Sequence, residues 1–484
     1  METKLIFEKS VAGRQGVSLP KCDVPEIDPR AVFPASVQRK IKARLPEVPE
    51  FEVVRHYTNL SSLNYHIDKG IYPLGSCTMK HNPRVNEKTA ALPGFTQLHP
   101  LSGEELSQGA LSVIWNLEQA LAEVSGMHSV SAQPVAGAHG ELAALMVIRA
   151  YHEDKGNARK FVLIPDSAHG TNPASVVRAG YATIGVRSTA EGMIDIADLE
   201  SKMTADVAAI MITNPNTLGL FEKDIRKIAE IMHGKGGLLY MDGANFNALM
   251  GIVKPGQIGF DVLHFNLHKT FSTPHGGGGP GAGPIGVSKE LAPFLPDPRI
   301  EKKGETFSFA LPAPKSIGRV HSFYGNFLVL VRAYTYILML GRNGLKEATQ
   351  MAIVNANYLL AKLKSKFTLA YPGPVLHEFV LTGAPFKDKG VKTLDIAKRL
   401  LDYGVYAPTI YFPLIVPEAI MIEPTETETR EELDRFVSAL ESILQEVNEN
   451  PQIVLSAPNT TPVKRLDEVK AAKELNIRFQ FPTT

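Results

Sequence analysis

The chain has 484 residues, 44% hydrophobic and 21% charged, with Lys+Arg 51 set against Asp+Glu 50. That length asks for two or three domains, and a formal charge of +1 provides no global basic field to hold nucleic acid or an anionic membrane. The two cysteines, Cys22 and Cys77, have neither metal-ligand nor redox-pair spacing and fit a reducing compartment.

The N-terminus, Met1 to Lys9, carries acids and no long apolar core, unlike a secretory signal. Residues 1–105 are proline-rich and weakly periodic. They read as an extended arm with short helices, suited to wrapping a partner subunit, with a loose terminus as the alternative. A helix is expected from about Glu104 to Val124, with the single tryptophan, Trp115, inside it.

An α/β rhythm follows. Short apolar runs at Phe161–Pro165, Tyr181–Val186, Ala208–Thr213, Leu238–Asp242 and Val262–Asn266 each end at a polar or Gly/Pro turn. Helical stretches such as Pro173–Ala179 and Lys223–His233 separate several of them. Continuous apolar strands alternating with helices predict a parallel sheet covered on both faces. Pro284–Val287 reads as an antiparallel strand.

Residues from about Ser322 to Phe367 read as helical. The most apolar window, Phe327 to Leu340, is too short to span a bilayer and contains Arg332, so a buried helix between domains is expected. Thr393–Tyr403 and Thr427–Glu446 are amphipathic. The expected division is an arm (1–105), a large cofactor-binding domain (106–325), a smaller α/β domain (326–450) and a tail (451–484). A cytoplasmic protein follows by elimination, with no membrane or nucleic-acid partner.

In an open parallel sheet, ligands bind beyond the carboxyl ends of the strands. Asp166 and His169, Thr213 and Asn214, Asp242, Asn266 and the pair His268-Lys269 all fall at such ends. A lysine delivered there by an apolar strand, with Gly276–Gly279, Pro280 and Gly281 close behind, suits an amine that must lose its proton and attack a carbonyl. The glycine run lacks the context of a Rossmann or P-loop fingerprint and reads as a close backbone approach. If the carbonyl belongs to pyridoxal phosphate, Asp242 can hold the pyridine nitrogen protonated; a turn-capping carboxylate is the alternative. The stretch Gln133 to Glu141 opens a helix with small residues, whose free amides can hold a phosphate or mark a simple turn. His169 can lie on a pyridine ring or bond within its own loop. No HExxH, CxxC or EF-hand pattern appears, so no protein-bound metal is expected.

The block Asn266 to Gly281, NLHKTFSTPHGGGGPG, resembles the cofactor-lysine signature of glycine decarboxylase, the P-protein of the glycine cleavage system. Tyr72 to Lys80, Asp166 to Ser175 and Met241 to Asn245 resemble further blocks of that family, in the same order. The resemblance spans essentially the whole chain and points to the lysine-bearing second half, the β subunit of the split form. It implies a fold-type I pyridoxal-phosphate enzyme, like the aspartate aminotransferases, with a mostly parallel sheet. It implies a first-half-like partner subunit in an α2β2 assembly and a lipoylated H-protein as co-substrate. Lys269 is then the Schiff-base residue, Asp242 pairs with the pyridine nitrogen and His169 stacks on the ring. Gly137, Ala138, His139 and His268 lie near the phosphate. Thr213, at its strand end, and Ala244, in the block after Asp242, complete the expected cofactor-binding set. Where the long form of the family has glutamine in its small-residue block, this chain has His139, a departure that touches the side chain and not the loop amides. The implied reaction is decarboxylation of glycine, with transfer of the aminomethyl group to the lipoyl arm and release of CO2. The alternatives are another pyridoxal-phosphate decarboxylase or transaminase without a lipoyl partner, and a non-catalytic scaffold subunit of the same fold.

Overall fold

The computed structural model describes residues 4–41, 43–275 and 281–481. The glycine run expected to approach the lysine, 276–279, and Pro280 lie outside the described residues. The chain divides into two compact units, 1–69 and 70–484. The first holds a short helix at Pro29–Val32 and a longer one at Glu50–Leu63. It exposes Val17, Leu19, Val24, Ile27, Ile41 and Leu45.

The second unit is built on a seven-stranded sheet. Its strands are β1 (Ser129–Ser131), β2 (Phe161–Pro165), β3 (Ala182–Val186), β4 (Val207–Thr213), β5 (Leu238–Gly243), β6 (Val262–Phe265) and β7 (Ile285–Val287), in the order β1-β7-β6-β5-β4-β2-β3. Strands β3, β2, β4, β5 and β6 run parallel; β7 is antiparallel to both β6 and β1. The predicted runs land on these strands to within a residue or two. On β4, Ile210 and Ile212 face one core while Ala209 and Met211 face the other. That alternation explains why the strand is apolar throughout. The first core takes Leu111, Ile114, Leu117 and Leu121 from the Gln108–Ser125 helix, and the second takes Ala144, Leu145 and Ile148 from Gly137–Asp154. The edge strand β3 departs from the covered pattern. It has a strand neighbour on one side only, and Ala182, Thr183 and Gly185 stay exposed.

A hairpin, β8 (Ile300–Lys303) and β9 (Thr306–Phe309), leads to the long Phe327–Leu363 helix. Gly341 breaks that helix with φ 59° and ψ −172°, a backbone state that glycine reaches at least cost. Val329, Leu330 and Ala333 before the break pack into the first core of the large sheet, and Ala356, Leu359 and Leu363 after it pack into a third core. The expected connecting helix is therefore one element shared by two cores, but it is not buried throughout: Leu338 and Met339 stay exposed. The third core lies against an antiparallel sheet of β10 (Thr368–Leu369), β11 (Phe379–Thr382), β12 (Thr409–Ile410) and β13 (Ala419–Ile422). The Thr393–Asp402 and Arg430–Glu449 helices cover it, the latter capped by the Thr429 side chain on the Glu432 amide.

An irregular segment, 72–80, closes onto this small sheet. Leu74 bridges Ile422, and a Cβ on Gly75 would stand 2.2 Å from Met421 Cγ, so glycine is required for the approach.

Candidate active site

The ladder places Thr213 beside Asp242 and Asp242 beside His264, at the carboxyl ends of β4, β5 and β6. Asp242 is 1% exposed. Its Oδ2 accepts from Asn172 Nδ2 at 2.9 Å and its Oδ1 from the Ala244 amide at 2.9 Å, while His264 Nε2 stands 3.4 Å from Oδ1. Burial pushes the carboxyl up, but His264, His169, the Asn172 amide and the Ala244 N–H outweigh it and hold Asp242 below the usual carboxylate range. His264 Nδ1 in turn lies 2.7 Å from the Tyr240 hydroxyl.

Lys269 follows β6 by four residues and is 8% exposed. Its Nζ donates to the Ser76 carbonyl at 2.6 Å. Neighbouring His268 has no hydrogen-bond partner for Nδ1 among the described residues, and a Cβ on Gly281 would stand 2.8 Å from that nitrogen. Burial, then the charge of Lys269, pushes the His268 imidazolium down to about 3, so the ring is neutral at physiological pH. His169 is half-buried, with Nδ1 2.9 Å from the Thr171 hydroxyl. Burial lowers its proton affinity, and it senses both Asp242 and Lys269, which places it near both groups.

Gly137, Ala138 and His139 open the Gly137–Asp154 helix without a side-chain cap. The His139 side chain turns back, its Nδ1 accepting from the Val135 amide at 3.2 Å, and so is occupied within its own turn. A Cβ on Gly137 would stand 2.1 Å from Asn266 Oδ1, so the helix start touches the end of the lysine strand.

Several neighbours were invisible to sequence reasoning. Lys80 is buried, donating to Glu426 at 2.6 Å, to the Thr270 carbonyl at 2.8 Å and to Asn247 at 2.9 Å. Burial alone would drive its ammonium down, but Glu426 and Tyr336 outweigh it and raise it above the ordinary lysine range. His377, Glu378 and Glu423 are all 0% exposed and flank the 76–78 turn. The family resemblance flagged 72–80, but no local pattern marks these partners.

The residues fit pyridoxal phosphate. Thr213, Thr270 and Thr273 hydroxyls and His268 and His275 Nδ1 are buried with no partner among the described residues, so donors await an oxygen-rich group. An amine suited to a carbonyl and an ionised carboxylate suited to a pyridinium complete the set. The strand order, with the lysine past β6 and the acid ending β5, defines the fold-type I class of pyridoxal-phosphate enzymes.

Comparisons with known proteins agree. Residues 26–301 match the profile described as glycine cleavage system P-protein, and residues 348–463 the one described as glycine dehydrogenase, C-terminal domain. The chain is 59% identical over 483 residues to a probable glycine dehydrogenase (decarboxylating) subunit 2 of Chloroherpeton thalassium, covering 99% of this chain and 98% of that one. It is 55% identical over 477 residues to the protein of the same description in Listeria monocytogenes, covering 98% of each. In fold it is similar to a glycine decarboxylase (P-protein) of the glycine cleavage system in inhibitor-bound form, with a TM-score of 0.72, 22% identity and coverage of 85% of this chain and 93% of that one. A sphingosine-1-phosphate lyase of Burkholderia pseudomallei shares the fold at a TM-score of 0.63 and 11% identity, covering 86% and 95%. The chain belongs to the glycine cleavage system P-protein family.

Proposed function

We propose that this chain is the lysine-bearing subunit of a P-protein, decarboxylating glycine and passing the aminomethyl group to the lipoyl arm of H-protein. One observation carries the reading: a buried carboxylate held ionised, Asp242, at the carboxyl end of one strand and a buried amine, Lys269, just past the end of its neighbour, in a chain of that family.

Pyridoxal 5'-phosphate, when bound, supplies an aldehyde that exchanges amines and a ring that takes up the electron pair left by the departing carboxylate. The chain's own residues do the rest. Lys269 Nζ would be the covalent attachment point and, when free, lies beside the Ser76 carbonyl as a group that can hold a proton. Asp242 would hold a proton on the ring nitrogen, and His169 would pack beside the ring. The amides of Gly137, Ala138 and His139 and the helix dipole would hold the phosphate, with Thr213 and neutral His268 supplying further polar contacts. The Ala244 amide orients Asp242.

The electron balance needs no nicotinamide. The C–C bond of glycine breaks and CO2 leaves. Its electron pair forms a C–S bond with one sulfur of the lipoyl disulfide. The S–S bond breaks, and the second sulfur takes up a proton. The disulfide is the oxidant.

In this reading residues 106–325 carry the cofactor, residues 326–450 close over it, and the apolar residues of the arm meet a first-half-like subunit in an α2β2 assembly. Among the described residues no helix is long and apolar enough to cross a membrane, which agrees with a cytoplasmic placement. The test is exchange of labelled CO2 with glycine. The isolated chain is expected to bind the cofactor but to exchange little; adding the partner subunit and lipoylated H-protein should restore exchange. Full exchange without lipoyl protein would point instead to a decarboxylase of another kind, and absence of any cofactor absorbance to a scaffold.

A further inference from the structure

We propose that Glu378 and Glu423 are positioning residues for Lys269, acting through the Ser76–Thr78 turn that they clamp against its amine. The turn is not a relaxed one. Ser76 has φ 58° and Thr78 φ 43°, the left-handed region that side-chain-bearing residues avoid. Two carboxylates hold it there. Glu378 Oε2 accepts from the Ser76 amide at 2.7 Å; Glu423 accepts from the Thr78 amide at 3.1 Å and from the Thr78 hydroxyl at 2.6 Å. On the other side of the same turn, the Ser76 carbonyl receives Lys269 Nζ at 2.6 Å. The acids therefore fix where that carbonyl points, and the carbonyl fixes where the amine waits.

Their placement follows from the small sheet. Phe379 and Ile422 are partners in the β11–β13 ladder, so the residues just beyond them, Glu378 and Glu423, emerge side by side. Two acids abreast in a dry site are a poor choice for packing alone, where an amide or an apolar pair would serve. Asn245 Nδ2 also donates to Glu378 at 3.1 Å, and His377 Nε2 lies 3.8 Å from Glu378 and 4.0 Å from Glu423. Burial pushes the His377 imidazolium down to about 3, so it brings no charge. Burial and then Glu423 drive Glu378 well above the usual carboxylate range; burial, against the Thr78 donors and Lys269, leaves Glu423 at about 7. The pair thus carries at most one negative charge near neutral pH. The other titratable groups facing it are Lys269, Glu426, and the Cys77 thiol, which burial raises and so keeps neutral. The pair thus sets, through the turn, the fixed carbonyl that the Lys269 amine meets.

The catalytic meaning rests on Lys269 being the attachment residue proposed above, but the test reads the amine directly. In the cofactor-free full-length chain, trace acetylation by acetic anhydride at one fixed pH, read by mass spectrometry on the Lys269 peptide, reports how firmly that amine is held. Glu378→Gln with Glu423→Gln keeps an acceptor oxygen for each turn amide, whereas Glu378→Ala with Glu423→Ala removes both clamps. The expected result is near-parental labelling in the glutamine pair and several-fold faster labelling in the alanine pair. If the double alanine variant does not fold, Glu423→Ala alone is expected to move labelling in the same direction by a smaller factor. Parental labelling in an alanine variant that unfolds at the parent temperature, or equal acceleration in the glutamine pair, overturns the proposal. Borohydride reduction tests the attachment residue separately, so failure of one reading is distinguishable from failure of the other.

Discussion

Asp242 and His264 face each other across the β5–β6 ladder with Oδ1 3.4 Å from Nε2, and His264 extends the contact to the Tyr240 hydroxyl at 2.7 Å. All three are buried. The carboxylate therefore does not stand alone at the end of its strand. It is oriented by Asn172 and Ala244 and backed by a histidine that is itself fixed by a tyrosine.

Asp242→Asn keeps the shape and removes the charge. Removing one partner of a buried charge pair costs roughly 3–5 kcal/mol. If about 3 kcal/mol of that appears in the barrier, decarboxylation slows on the order of 10²-fold. Steady-state exchange of labelled CO2 into glycine checks this, and a fully active variant would rule the role out.

His264→Phe leaves Asp242 with its amide donors and removes the imidazole. A loss of about 1.4 kcal/mol, or tenfold in rate, is expected, smaller than for Asp242 itself. Equal losses in the two variants would mean that the histidine, not the carboxylate, sustains the ring proton.

Borohydride reduction of the cofactor-loaded protein should fix the cofactor on the peptide containing Lys269, and Lys269→Ala should bind it loosely or not at all. Label recovered on any other lysine sinks the assignment.

Lys80→Met should cost up to roughly 3 kcal/mol in stability, because the part-buried Glu426 loses its cation and keeps only its Asn247 and Tyr336 donors. Lys80→Met combined with Glu426→Gln should recover part of that loss. Urea unfolding of the single and double variants measures the coupling, and strict additivity would show that the pair contributes nothing.

Glu118 gives a pH signature in stability. Buried in the first core, it accepts from the Ala132 amide at 2.9 Å and the Tyr324 hydroxyl at 3.3 Å. Burial, against those donors, raises it to about 8 from 4.5. The native state therefore keeps a proton that the unfolded chain releases above 4.5, so the contribution to stability is fullest below 4.5 and is lost as pH rises through 8. Glu118→Gln should flatten this slope and raise stability at pH 8.5 by roughly 1–3 kcal/mol relative to its effect at pH 5. Parallel slopes for parent and variant would contradict it.

The large sheet was legible because its strands are apolar runs closed by turns, and its site residues were legible because they end those strands. Asp242, Thr213, His169 and Lys269 each follow from a local pattern. Lys80, Glu378 and Glu423 do not: their partners are 302 to 346 positions distant, and only the folded chain joins them. His264 and Tyr240 sit inside apolar runs, where a polar side chain reads as an interruption. The His139 side chain, whose role the sequence left open, accepts from the Val135 amide four residues before it.

The Lys80–Glu426 pair also sets a timetable for synthesis. Lys80 leaves the ribosome 346 residues before its acid. At about 5–20 residues per second the wait is roughly 20–70 s. For most of that interval the Ser76–Thr78 turn lacks its carboxylates, Glu378 coming 302 residues after Ser76 and Glu423 345 after Thr78, while the strands from Phe161 to Phe265 have already emerged. The large sheet can form first as a folded but open half. The turn that presents the Ser76 carbonyl to the amine gains both of its carboxylates only when the last strand of the small sheet docks, so this wall of the pocket is completed after the large sheet.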